Sequence, residues 1–143
     1  MIKLTRKKYE IEEPIQVEDE SGNLLVDYTV KITPEEKLQI RDIIFDEQDV
    51  KDGRKLAKLE KEGKTDEYEL LEKDVLERAK ARQEKFEKIV FKEERENIKK
   101  KAGELIYLDL VDTMFDFFVN AFVDKRVSQM NTLTTSLRKI SNK

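Results

Sequence analysis

The stretch from Glu104 to Val127 constrains this chain more than any other. Its polar residues fall at Asp109, Asp112 with Thr113, Asp116, Asn120 and Asp124. Steps of three and four trace a single stripe along an α-helix. Almost everything off that stripe is Leu, Ile, Val, Met, Phe or Tyr. A helix with so wide an apolar face must bury it against its own domain, another subunit or a client.

What surrounds this stretch limits the choices. The 143 residues predict one domain with a modest core. Charged residues make up 43% of the chain, yet the net charge is only −3, because the two signs are mixed along it. Mixed signs favour a salt-bridged helical surface over a field aimed at nucleic acid or a membrane. The chain has no cysteine, so no disulfide and no thiolate metal site, which suits a reducing cytoplasm. It has no histidine, which removes the commonest general base and the commonest transition-metal ligand together. The N-terminus, Met1 to Glu10, turns charged too soon for a signal peptide. The apolar stretch is about the 20 residues a membrane span needs. However, Asp109, Asp112 and Asp116 would each cost roughly 2.5–3.5 kcal/mol at a helix centre, so a soluble protein is expected.

The spacing predicts an α+β, mostly helical fold. Residues 1–32 read as a short antiparallel β-hairpin or a three-stranded meander. Tyr9, Ile11, Ile15 and Val17 alternate, with Pro14 breaking the strands, and Glu18 to Asn23 form a turn in which Gly22 and Asn23 tolerate positive φ. Leu24 to Ile32 alternate as the second strand. Thr33, Pro34 and Glu36 then compose a capping box that opens a helix in residues 33–53, ending somewhere between Asp46 and Gly53. Residues 54–101 predict a charged helical arm. A short helix over 54–62 is stopped by Gly63 at C′. Thr65 caps a long helix from Asp66 with no Gly or Pro before Lys101. Its seam is thin: Tyr68, Leu71, Val75, Ala79, Phe86, Ile89 and Ile98, interrupted by Arg82 and Glu93. Such a seam suits a helical hairpin or a coiled coil, and predicts an arm packed less firmly than the two ends. Glu69–Lys73, Glu84–Lys88 and Asp74–Arg78 stand four residues apart in the favourable order. Gly103 predicts either a kink or the close approach of a neighbouring backbone, the apolar helix covers 104–127, and residues 128–143 form a polar tail with a final helical pattern at Val127, Met130, Leu133, Leu137 and Ile140.

Three constellations bear on chemistry. Asp109, Asp112 and Asp116 share a helix face and could in principle hold a divalent cation, but a wet stripe on an otherwise buried helix explains them more simply. Arg6-Lys7-Lys8, Lys99-Lys100-Lys101 and Lys125-Arg126 are short and flanked by acid, as solvated surface is. Tyr107, Met114, Phe115, Phe117, Phe118 and Phe122 form an aromatic cluster that serves either as core or as core extended into a protein-binding surface. Phe115, Phe118 and Phe122 share one side, and Phe117 with Ala121 points elsewhere. No catalytic residue, cofactor site or metal site is expected.

The order of hairpin, capped helix, charged middle and Phe-rich helix resembles the tail assembly chaperones of long-tailed bacteriophages and prophages of Gram-positive hosts. Met1 to Ile40 and Asp109 to Phe122 carry the resemblance, and the middle is left outside it. The resemblance implies a non-enzymatic protein of the host bacterial cytoplasm, absent from the mature virion. It would form homo-oligomers, coat the tape measure protein and recruit the tail tube protein, without nucleic acid or membrane. The client would meet the Phe-rich face and the hairpin edge. A structural or adaptor coiled-coil module, and then a nucleic-acid-associated regulator, are the alternatives.

Overall fold

The computed structural model describes residues 1–141, with side chains described up to Val123. The fold is α+β and mostly helical. A 3₁₀ turn (Arg6–Tyr9) leads into β1 (Ile11–Glu18) and β2 (Leu24–Ile32). Five helices follow: α1 (Pro34–Ile44), α2 (Glu47–Lys61), α3 (Thr65–Phe91), α4 (Arg95–Ala102) and α5 (Glu104–Ser141). The chain divides into two compact units, Met1–Glu104 and Leu105–Lys143.

In the first unit, β1 and β2 pair antiparallel from Ile11 opposite Ile32 to Glu18 opposite Leu24, with a bulge between Val17 and Glu18. The meander is not formed, and Pro14 does not break β1. It stands exposed within the strand, opposite Thr29. A two-stranded sheet consists of edge strands only, and an edge tolerates a residue without an N–H. The turn is organised by Asp19, whose Oδ1 accepts from the backbone N–H groups of Ser21 (2.9 Å) and Asn23 (2.8 Å). These bonds, Asn23's first, hold the Asp19 carboxyl below its ordinary value. Gly22 alone supplies the positive φ there, +82°, while Asn23 does not.

The hairpin buries alternate residues: Ile15 from β1, and Val26, Val30 and Ile32 from β2. Ile40 and Ile43 of α1, Leu59 of α2, Phe86, Ile89, Val90 and Phe91 of α3, and Ile98 and Ala102 of α4 complete the buried apolar set of this unit. Tyr28 lies 6.2 Å from Phe91, ring centroid to centroid, and its hydroxyl donates to the Val90 carbonyl at 3.2 Å. Burial is also what raises the Tyr28 pKa.

The capping box forms as expected. Thr33 Oγ1 accepts from Glu36 N–H at 3.2 Å, and Glu36 Oε1 accepts from Thr33 N–H at 3.1 Å. This first helix is shorter than residues 33–53, because Asp46 caps a new helix by accepting from Gln48 N–H at 2.8 Å. Gly63, at φ +70°, ends α2: its N–H donates to Glu60 O at 3.1 Å, and the Lys64 N–H donates to Leu59 O at 3.0 Å. That pair of bonds is the Schellman pattern. Thr65 is the first residue of α3 and not its cap.

The long helix is not continuous to Lys101. It stops at Phe91, where Lys92 adopts φ +52°, and α4 resumes after a 3₁₀ turn. Nor is the arm uniformly loose, since its last third supplies Phe86, Ile89, Val90, Phe91 and Ile98 to the core. Gly103, at φ +87°, separates α4 from α5. The second unit is α5, whose backbone helix continues through the sequence read as a polar tail; residues 142 and 143 lie outside the described residues. Among the described residues, no helix is long and apolar enough to cross a membrane.

Candidate protein-binding site

Along α5 the side chains sort by angle around the helix. Tyr107, Val111, Met114 and Phe118 recur at steps of four, three and four, and all are buried. Leu110, Phe115, Phe117, Val119 and Phe122 flank that line and are half-buried. Asp109, Asp112, Thr113, Asp116 and Asn120 are exposed, as a wet stripe requires. Thr113 Oγ1 also donates to the Asp109 carbonyl at 2.7 Å. Of the six aromatic-cluster residues, Tyr107, Met114 and Phe118 are therefore interior, whereas Phe115, Phe117 and Phe122 keep part of their surface in water. The rings of Phe117 and Phe118 meet edge to face at 5.3 Å. Such a contact adds about 0.5–1.5 kcal/mol to the burial of the rings.

The residues most open to a partner were not in the predicted set. Leu105 is 80% exposed, Ile106 44%, Leu108 43% and Val123 40%. A signal for two of them existed in the sequence. Leu105 and Val123 continue the acidic stripe at its own spacing (105, 109, 112, 116, 120, 123), so they belong to its solvent side.

The charged hairpin of α2 and α3 covers few apolar groups: Leu59 is buried, and Leu56, Tyr68, Leu71, Val75 and Ala79 are half-buried. Ion pairs supply the rest. Arg82, the interruption in that seam, binds Asp49 and also Asp46 (3.3 Å). Arg78 binds Asp52 at 2.7 Å, and Gln48 donates to the same carboxylate at 2.9 Å. Arg78 thus turns away from the Asp74 carboxylate, its expected partner, and gives Asp74 only a bond to the carbonyl at 3.4 Å. Asp52 is only 5% exposed, and a desolvated carboxylate claims the cation that an exposed one cannot hold. Glu84 and Lys88 do pair along the helix, at 3.2 Å.

Arg6 and Arg95 are similarly occupied. Arg6 forks onto Glu35 with two bonds of 2.6 Å, and Arg95 binds the buried Glu87 at 3.3 Å. The Arg6 bonds hold Glu35 down to about 2 from 4.5. Among the described residues, no three carboxylates gather as a cation would need, the row Asp109, Asp112 and Asp116 included. No family model, curated protein or solved structure matches the chain.

Proposed function

We propose that this chain is a non-enzymatic assembly chaperone that self-associates and offers α5 to a helical client. Following the resemblance of its two ends, the client is the tape measure protein of a long-tailed phage, with the tail tube protein as a second partner. It acts in the host bacterial cytoplasm and is absent from the mature virion. One observation carries the reading. α5 buries a narrow line of side chains and leaves Leu105, Ile106, Leu108 and Val123 exposed on the same helix. Apolar groups on a helix suit an amphipathic client, and a chain that is 43% charged keeps them from indiscriminate contact.

Two observations work against the alternatives. Ion pairs tie α3 of the charged arm to α2 and its cap within the chain, which leaves α3 less to offer as an intermolecular coiled coil. Arg6, Arg78, Arg82, Lys92 and Arg95 are bound to carboxylates, which weakens the case for a phosphate-binding face.

The test is co-expression with the tape measure protein of a long-tailed phage of a Gram-positive host. The wild-type chain should keep that product soluble and co-purify with it. Leu105→Glu combined with Leu108→Glu should lose both effects while staying folded. Unchanged co-purification of that variant would sink the reading.

A further inference from the structure

The charges of α5 are segregated by sequence. Glu104, Asp109, Asp112, Asp116 and Asp124 give residues 104–124 five acids and no base. Lys125, Arg126, Arg138, Lys139 and Lys143 give residues 125–143 five bases and no acid. The backbone is one uninterrupted helix from Glu104 to Ser141. Its 38 residues extend over about 57 Å at 1.5 Å per residue.

A second regularity runs along the same helix. Leu108, Phe115, Val119 and Phe122 lie on one flank of the buried line; Leu108 is exposed and the other three are half-buried. Met130, Leu133, Leu137 and Ile140 continue this row in sequence at steps of three and four, with Asp112 and Arg126 filling its gaps. Parts of the row correspond when it is read from its two ends. Leu108 stands as far before position 124 as Ile140 stands after it, and Phe115 is matched in this way by Leu133. Val119 and Met130 correspond to within one residue, as do Asp109 and Arg138, while Asp109 and Lys139 correspond fully.

We infer that two copies of this chain pair through α5 in antiparallel order, about a twofold axis near residue 124. This deepens the self-association named above and rests on that part of the reading. A twofold contact must be self-complementary, and the charges of this helix meet that condition only when one copy is reversed. Reversal sets the acidic half of each helix beside the basic half of the other. It also opposes the two helix dipoles. Parallel pairing would stack five acids on five acids and five bases on five bases.

Because the chain has no cysteine, single introduced cysteines report the geometry directly. The full chain is spin-labelled at Val123→Cys in one preparation and at Thr135→Cys in another. Antiparallel pairing brings the first labels close together, across helices whose axes pack about 8–10 Å apart. It holds the second pair about 33 Å apart along the axis. Short distances at both positions mean parallel pairing and overturn the inference. So does a monomer by sedimentation at about 100 µM. Arg138→Glu with Lys139→Glu should weaken the dimer about tenfold at low salt, and adding Asp109→Lys should recover part of the loss. No weakening by the first pair of changes would also overturn it. A dimer of the expected geometry that ignores the tape-measure product sinks the client reading alone. A monomer that still binds it sinks the pairing alone.

Discussion

Lys92 Nζ donates to Glu36 Oε2 at 2.5 Å, while Glu36 Oε1 accepts from the backbone N–H of Thr33 at 3.1 Å. One carboxylate thereby closes the start of α1 and ties it to the residue where α3 ends. Burial alone would raise the Glu36 pKa, but Lys92 and the Thr33 backbone outweigh it and hold that carboxyl below its ordinary value. Glu36→Ala should cost about 1–2 kcal/mol, since it removes a cap and an ion pair together. Urea unfolding checks this, and a loss under a few tenths of a kcal/mol would mean the tie is ornamental.

Lys92 also occupies φ +52°, where a side chain is strained and glycine is not. Lys92→Ala should therefore be less stable than Lys92→Gly by about 1 kcal/mol, although neither keeps the Glu36 contact. Equal stabilities of the two variants would remove strain from the account.

Acid should loosen the N-terminal region first. The Glu35 pKa is depressed in the folded chain, from 4.5 to about 2. A depressed carboxyl contributes its stability above its unfolded pKa and loses it as pH falls through the folded one. The Arg6–Glu35 tie is thus fully present above about pH 4.5 and fades toward pH 2. Glu35→Gln should flatten the fall in stability across that window, read by denaturant unfolding at successive pH values. An unchanged slope would exclude the pair as its source.

Much of this fold was readable in the sequence, and the parts that were not have particular causes. The capping box of Thr33 and Glu36, the stop at Gly63 and the second strand depend on local chemistry that neighbouring residues supply. The break at Lys92 depends on distant Glu36 and on a backbone angle for which lysine carries no signal. Pro14 suggests a strand breaker because a sequence does not reveal that its strand has a free edge. On α5 the polar stripe was legible. Which of the many apolar residues lie inside was not, because Phe115 and Phe118 look alike until Phe118 is found 0% exposed.

Phe118→Ala should accordingly cost about 3–5 kcal/mol. Leu105→Ser should stay within about 0.5 kcal/mol of wild type. Thermal unfolding of the two variants separates interior from surface on one helix, and similar losses for both would contradict the assignment.

Pro14 also makes a prediction about association. An edge strand with a full set of N–H groups invites another strand, and proline withholds one. Pro14→Val should leave the hairpin folded while raising light scattering over time, and a variant as quiet as wild type would show that this edge needs no protection.

Hydrogen exchange of the chain alone and in complex with its client tests the central claim most directly. The account predicts new protection in the helix over residues 105–108 and 119–123, with the α2–α3 hairpin unchanged. A tight complex that leaves α5 exchanging as before would contradict it.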